Sequence, residues 1–245
     1  MLGEFGKEFM EKTQYRYLDR SDQSIGYPNP DLELGAEEGK RVIDLPSPED
    51  IKVDNIDLRK AIEKRTSVRN YSSEPLLLEE LSYLLWSTQG VKEVVRNAAT
   101  FRTVPSAGAR HALETYILAN NVKGLEKGLY RFLPIEHKLV EINTEKDIAI
   151  NIRHGCLDQS FVTSSAATFI WTAVPYRMTW RYEQRGYRYL HLDAGHVCQN
   201  LYLSAESVGC GVCAIAAFLD EEINPAMGID GENEFVIYVA TVGKK

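Results

Sequence analysis

Arg188 to Phe218, RYLHLDAGHVCQNLYLSAESVGCGVCAIAAF, runs one long apolar helix straight into a glycine-rich segment. Leu190, Ala194, Val197, Leu201 and Val208 recur at helical intervals and define one face, while Leu192, Tyr202, Leu203 and Ala205 make other faces apolar as well. A helix apolar nearly all round belongs in an interior. Gly209, Cys210 and Gly211 then end it, and Val212 to Phe218 reads as a short buried strand or turn of small side chains. Small residues there admit a close approach to the backbone, either by a flat ligand or simply by a neighbouring element.

Composition sets the outer bounds. A chain of 245 residues, 44% of them hydrophobic, can bury an ordinary core without disulfides. Its 28 basic residues against 35 acidic ones leave a net charge of −7, so no large basic field draws nucleic acid or anionic lipid. Small-molecule chemistry is the default expectation. No run approaches the roughly twenty apolar residues of a membrane span, and MLGEFGKEFM lacks a basic-then-apolar signal, so a cytoplasmic location is expected. Cys210-Gly-Val-Cys213 has the spacing of a metal knuckle or redox pair, yet no second pair or histidine cluster completes a zinc site, and no metal is expected.

Residues 1–56 are polar and broken by Pro28, Pro30, Pro46 and Pro48, reading as an ordered arm or linker, with a short helix over Glu4 to Tyr17. A domain of residues 57–245 follows. LRKAIEKR suggests a helix, Thr66 to Tyr71 an extended turn, and Glu79-Glu80 open a second helix that stops at Gly90. LETYILANN, the GLYRFLP and HKLVEIN hairpin, AATFIWTAV in a central place, and EFVIYVATVG read as strands, with a helix near Glu145 to His154. Helices and strands interleave without strict alternation or repeat, which points to an α+β domain with a mixed, mainly antiparallel sheet inside helices.

Two segments offer chemistry. Arg65-Thr66-Ser67-Val68-Arg69 puts two guanidinium groups, two hydroxyls and loop N–H groups within a short span suited to a phosphate ester; a capped, solvated helix end is the simpler alternative. In Thr103 to Arg110, TVPSAGAR, Ser106 and free backbone groups suit a polar ring edge, or only a turn. His191, Asp193 and His196 do not have the spacing of a triad and read as residues of the helix surface or an interface.

The ordered set of Arg65-Thr-Ser67-Val-Arg69, Thr103 to Gly108, Tyr182 to Tyr189, Asp193 to Leu201 and Gly209 to Phe218 resembles the nitroreductase-like flavoproteins, specifically their SagB-type dehydrogenase branch, over Asp57 to Lys245. That resemblance implies an FMN-binding homodimer with two active sites at the interface and the long helix within it. Arg65 and Ser67 would hold the phosphate, helped by Lys244, Thr66 would belong to the same cofactor-binding segment, and Arg69 would approach the flavin N1/O2 edge. Pro105, Ser106, Ala107 and Gly108 would line one side of the ring system, and Ala214, Ile215, Ala216 and Ala217 the other, with the Ala216 N–H at N5. Hydride transfer through N5 would follow, from transiently bound NAD(P)H to a nitro or quinone-like acceptor, or by dehydrogenation of a small or peptide substrate. The alternative is a non-catalytic flavin-binding subunit of a modifying complex. Azoline-oxidising relatives carry a Lys-Tyr pair, which Arg181-Tyr182 replaces here; arginine stays protonated near neutrality and makes a poor general base.

Overall fold

The strand Ala167–Ala173 is buried at all seven positions, which an alternating pattern would not require. Its side chains divide between two cores. Ala167, Phe169, Trp171 and Ala173 enter the larger core beneath the long helix, whereas Ile170 enters a smaller one on the opposite side of the sheet. Covering both faces is what makes its sequence read as an unbroken apolar run.

A computed structural model describes residues 4–96 and 98–245. Its main sheet has seven strands, in the spatial order Val42–Asp44, Lys138–Asn143, Gly128–Leu133, Leu113–Ala119, Ala167–Ala173, Phe235–Lys244, Cys210–Ile215, and every neighbouring pair is antiparallel. Among the described residues, parallel pairing is confined to Leu76–Leu77 with Val122–Lys123 and to a single bridge from Ser67 to Val212. In Phe235–Lys244 the register shifts between Val236 and Tyr238, so Val236 and Val239, three positions apart, both reach the smaller core. The α+β fold with a mainly antiparallel sheet is as the sequence indicates.

The long helix spans Gly186–Glu206 and lies over the larger core. It is less enclosed than its composition suggests: His191, Leu192, Gly195, His196 and Gln199 remain exposed along one side. Gly209 closes it with φ +65°, a left-handed conformation that glycine adopts without penalty. The strand after it starts at Cys210 and ends at Ile215, two residues earlier and three shorter at its end than the sequence pattern suggests. Cys210 and Cys213 are three positions apart on that strand, so their side chains leave opposite faces. Burial pushes the Cys210 thiol up to about 12.

Residues 4–56 are tied to the body at several points. The helix Phe5–Lys12 is anchored to the start of the long helix through Arg188, which donates to Thr13 Oγ1 at 2.5 Å and to the Met10 carbonyl. The Gln23 N–H donates to the Trp180 carbonyl at 2.9 Å, and the Trp180 indole N–H donates to the Tyr27 carbonyl at 3.2 Å. The Leu34 N–H donates to Glu114 Oε1 at 2.8 Å; that carboxylate also meets Arg177 at 2.6 Å, with both side chains 2% exposed. Arg177 belongs to the helix Pro175–Tyr182, so this buried pair fixes the element that carries Arg181 and Tyr182. Among the described residues, no helix is long and apolar enough to cross a membrane.

Candidate functional site

Two groups of the residues singled out in the sequence come together, at different points along the long helix. The first gathers around Tyr202. Its hydroxyl accepts the Ala214 N–H at 2.9 Å and lies 3.0 Å from Ser67 Oγ, and the Arg65 guanidinium sits over its ring, 5.3 Å from the centroid. The segment after Arg65 is extended because it docks on the last strands. The Val68 N–H donates to the Val212 carbonyl at 2.9 Å, and the Tyr71 hydroxyl is shared between the Val68 carbonyl at 2.7 Å and Thr241 Oγ1 at 2.7 Å. Glycine makes this docking possible: a Cβ on Gly211 would lie 2.6 Å from Val68, and one on Gly243 would lie 2.8 Å from the Tyr71 ring.

The charges of this group are unevenly engaged. Arg65 and Arg69 pair with no carboxylate among the described residues, and Arg69 stands 6.0 Å from the Phe161 ring centroid. Thr66, Ser67 and Arg69 are exposed. Lys244 is already occupied, its ammonium donating to Glu80 Oε1 at 2.6 Å and to the Val208 carbonyl at 2.8 Å. Two free guanidinium groups, a hydroxyl and exposed backbone form a donor set for a doubly charged anion such as a phosphate monoester.

Beyond Ile215 the chain leaves the sheet. Ile215 is 3% exposed and its side chain is in the smaller core, so only its backbone can face a ligand. Ala216 and Ala217 are exposed, and the Ala216 N–H makes no hydrogen bond among the described residues.

The second group forms where Pro105 to Gly108 meets the N-terminal half of the long helix. Gly108 has φ +58°, and a Cβ built on it would lie 2.5 Å from the Tyr182 hydroxyl and 3.1 Å from Arg181 Nε. Bare backbone there lets the loop touch both side chains. The Tyr182 ring packs edge-on against Tyr189 with centroids 4.9 Å apart. The loop is fixed from below: the His111 N–H donates to Ser106 Oγ at 2.9 Å, and the Ala107 N–H donates to Asp193 Oδ1 at 3.4 Å. Burial, with Arg102 nearby, holds His111 down at about 3, so its ring is neutral. Pro105, Ser106 and Ala109 also border an open cavity of about 490 Å³ shared with Lys92 and Phe101.

Asp193 is the residue that sequence reasoning misplaced. His191 and His196 are indeed exposed, but Asp193 is 4% exposed, and its Oδ2 has no partner among the described residues. Burial raises its carboxyl above the ordinary 3.8, opposed by Ser106, the Ala107 N–H and His196. Tyr71 and Tyr202 read in the sequence only as part of an extended turn and of an apolar helix face, without the hydrogen bonds they make. Nothing in the local pattern marks them, because their partners lie on strands far along the chain.

Asp193 and Tyr202 are nine residues apart on one helix, roughly 13 Å at about 1.5 Å per residue. Within one chain, therefore, the group around Tyr202 and the Pro105 to Gly108 group lie apart along the helix.

The two-core antiparallel sheet, the long helix and the two loops beside it define an oxidoreductase of the nitroreductase type. The nitroreductase family model matches residues 62–244, and the chain belongs to that family. It is 37% identical to the nitroreductase-family protein MJ1384 of Methanocaldococcus jannaschii, over 83% of this chain and 96% of that one. It is also 31% identical to the trifolitoxin-processing protein TfxB of Rhizobium leguminosarum bv. trifolii, over 53% of this chain and 36% of TfxB. Among solved structures, a nitroreductase-family protein from Anabaena variabilis superposes with a TM-score of 0.65 at 33% identity, over 77% of this chain and 38% of that one. This chain thus spans less than half the length of TfxB and of the Anabaena protein.

Proposed function

We propose that this chain is an FMN-dependent oxidoreductase whose sites are each completed by two copies. The observation that carries this reading is the cluster of Arg65, Ser67 and the Ala214 N–H around Tyr202, with both Arg65 and Arg69 left without a carboxylate. The group fits FMN by its chemistry. Arg65, Thr66 and Ser67 would hold the phosphate, with Lys244 adding charge nearby although Glu80 already neutralises it. Arg69 would set a positive charge beside the N1/O2 edge, where it favours the anionic reduced form. Ala214, Ile215, Ala216 and Ala217 would present backbone and small side chains to one side of the ring, with the unpaired Ala216 N–H toward N5. Bound there, FMN supplies two-electron hydride chemistry at N5.

The second part-site supplies what the first lacks. Pro105, Ser106, Ala107 and Gly108 would cover the remaining face of the ring, and Tyr182 would orient a substrate or donate a proton beside Arg181. Leu192, Gly195, His196 and Gln199 leave one side of the long helix uncovered between the two groups. A two-fold partner packed antiparallel on that side sets the Tyr202 end of one copy against the Asp193 end of the other. The electron source proposed is NAD(P)H, bound transiently, and the acceptor a nitro or quinone-like compound; in the alternative a small or peptide substrate would be the hydride donor, and the electrons would leave to a quinone-like acceptor in a second half-reaction.

An absorbance spectrum of the purified protein, taken before and after anaerobic addition of NADH or NADPH, tests this reading. A flavin spectrum that bleaches on addition is the expected result. A colourless protein that takes up no added FMN overturns it.

A further inference from the structure

Arg181 stands at the second part-site with its charge unanswered. It is exposed on the last turn of Pro175–Tyr182, its guanidinium 5.6 Å from the centroid of the Tyr182 ring. Its Nε and the Tyr182 hydroxyl converge over the bare backbone of Gly108. Among the described residues it makes no ion pair and no side-chain hydrogen bond, unlike the arginines around it. Arg177 is paired with Glu114, Arg110 donates to the carbonyls of Arg177 at 3.1 Å and Ala98 at 3.3 Å, and Arg185 donates to the Tyr189 hydroxyl at 2.7 Å. Among the described residues neither Asp22, which accepts from the Tyr176 hydroxyl at 2.9 Å, nor the adjoining Glu183 forms an ion pair with it.

An unpaired, permanently charged planar fork beside a phenol hydroxyl, in a chain of net charge −7, is a site for a planar oxyanion. We infer that Arg181 selects the substrate of this oxidoreductase by a carboxylate, which its guanidinium grips in bidentate fashion while the Tyr182 hydroxyl donates a further hydrogen bond. This rests on the proposed function for the identity of the site, and it names the substrate class: organic molecules carrying a carboxylate close to the group that gains or loses electrons. A free phosphate group, as on the 2′ position of a pyridine nucleotide, shares the same anionic chemistry, so the probes must separate the two.

The test is calorimetric titration of the purified protein, carrying whatever cofactor it retains, with benzoate, benzamide and adenosine 2′,5′-bisphosphate. Benzoate should bind at least about tenfold more tightly than benzamide, as a charge-assisted bidentate contact provides. Arg181→Gln should erase that preference and Arg181→Lys, a point charge without the fork, should keep only part of it. Arg181 is exposed, so both variants should match the parent in circular dichroism and melting temperature. Equal binding of benzoate and benzamide, no binding of either, or a preference that survives Arg181→Gln overturns the inference. So does tight binding of the bisphosphate without benzoate, which would assign the arginine to the nucleotide. A colourless protein that still prefers benzoate contradicts the flavin reading and leaves Arg181 its anion; a flavin-loaded protein without the preference does the reverse.

Discussion

The Tyr202 hydroxyl accepts the backbone N–H of Ala214 at 2.9 Å, from a helix position twelve residues earlier in the chain. The same oxygen lies 3.0 Å from Ser67 Oγ, so one phenol sets the spacing between the segment after Arg65 and the end of the strand Cys210–Ile215. Tyr202→Phe keeps the ring under Arg65 but leaves the Ala214 N–H without its acceptor. An unsatisfied, half-buried donor costs about 1–3 kcal/mol. The expected outcome is a fall in melting temperature of about 2–12 °C, at about 2–4 °C per kcal/mol for a chain of this size, together with weaker FMN binding. An unchanged urea midpoint would show that water replaces the hydroxyl at no cost.

Arg65 should matter for the cofactor more than for the fold. Its guanidinium is half-buried over the Tyr202 ring and has no carboxylate partner, so Arg65→Ala removes a charged donor without orphaning an acid. Loss of one charge-assisted phosphate contact is worth about 1.5–3 kcal/mol, which raises the FMN dissociation constant roughly 10- to 150-fold. Flavin fluorescence quenching on titration of apoprotein measures it. Lys244→Ala should have a smaller effect on FMN, because Glu80 already holds that ammonium.

Much of this molecule can be read before folding it, where local pattern and final environment agree. The run AATFIWTAV announces a strand covered on both faces, and Gly209 marks the end of the long helix by the conformation it must take. Tertiary contacts are a different matter. Asp193 lies between two histidines that are exposed, yet it is buried and accepts from the Ala107 N–H of a distant loop. Likewise the Glu114 and Arg177 pair is brought together by adjacent elements and closed over by Leu34 from the N-terminal segment, which no periodicity in any of the three stretches reveals. The two part-sites could be named from motif order, yet their separation along the helix shows only in the structure.

Gly108 makes the contact between its loop and Tyr182 possible. With φ +58° it pays no steric penalty, whereas alanine in a left-handed conformation costs about 1–2 kcal/mol. The added Cβ would also meet the Tyr182 hydroxyl at 2.5 Å and Arg181 Nε at 3.1 Å, forcing both outward. Gly108→Ala should therefore lower stability by about 1–2 kcal/mol and reduce turnover more than FMN affinity, since the phosphate group is held elsewhere. Steady-state rates with dinitrobenzene or a quinone, set beside the FMN dissociation constant, separate the two effects. Equal losses in both would mean that Gly108 acts through its cover of the ring and not through its contact with Tyr182.

Asp193 gives a pH dependence with a definite sign. Burial is the main cause of its raised pKa, so the folded protein holds this proton at pH values where the unfolded chain, near 3.8, has released it. Stability from this group is accordingly present in full below about pH 3.8 and is lost as pH rises through the higher folded value. Asparagine keeps an oxygen for the Ala107 N–H and carries no charge at any pH, so Asp193→Asn removes that loss. The parent and the variant should have similar urea midpoints near pH 4, and the parent should fall behind as pH rises toward 7. The unpartnered Oδ2 is where the replacement places its amide, a neutral group that is less costly to bury than a carboxylate. Glu33 and Glu234, also raised chiefly by burial, contribute the same slope in both proteins and cancel in the difference. Identical slopes for parent and variant would mean that the Asp193 carboxylate is as well accommodated in the folded protein as in water.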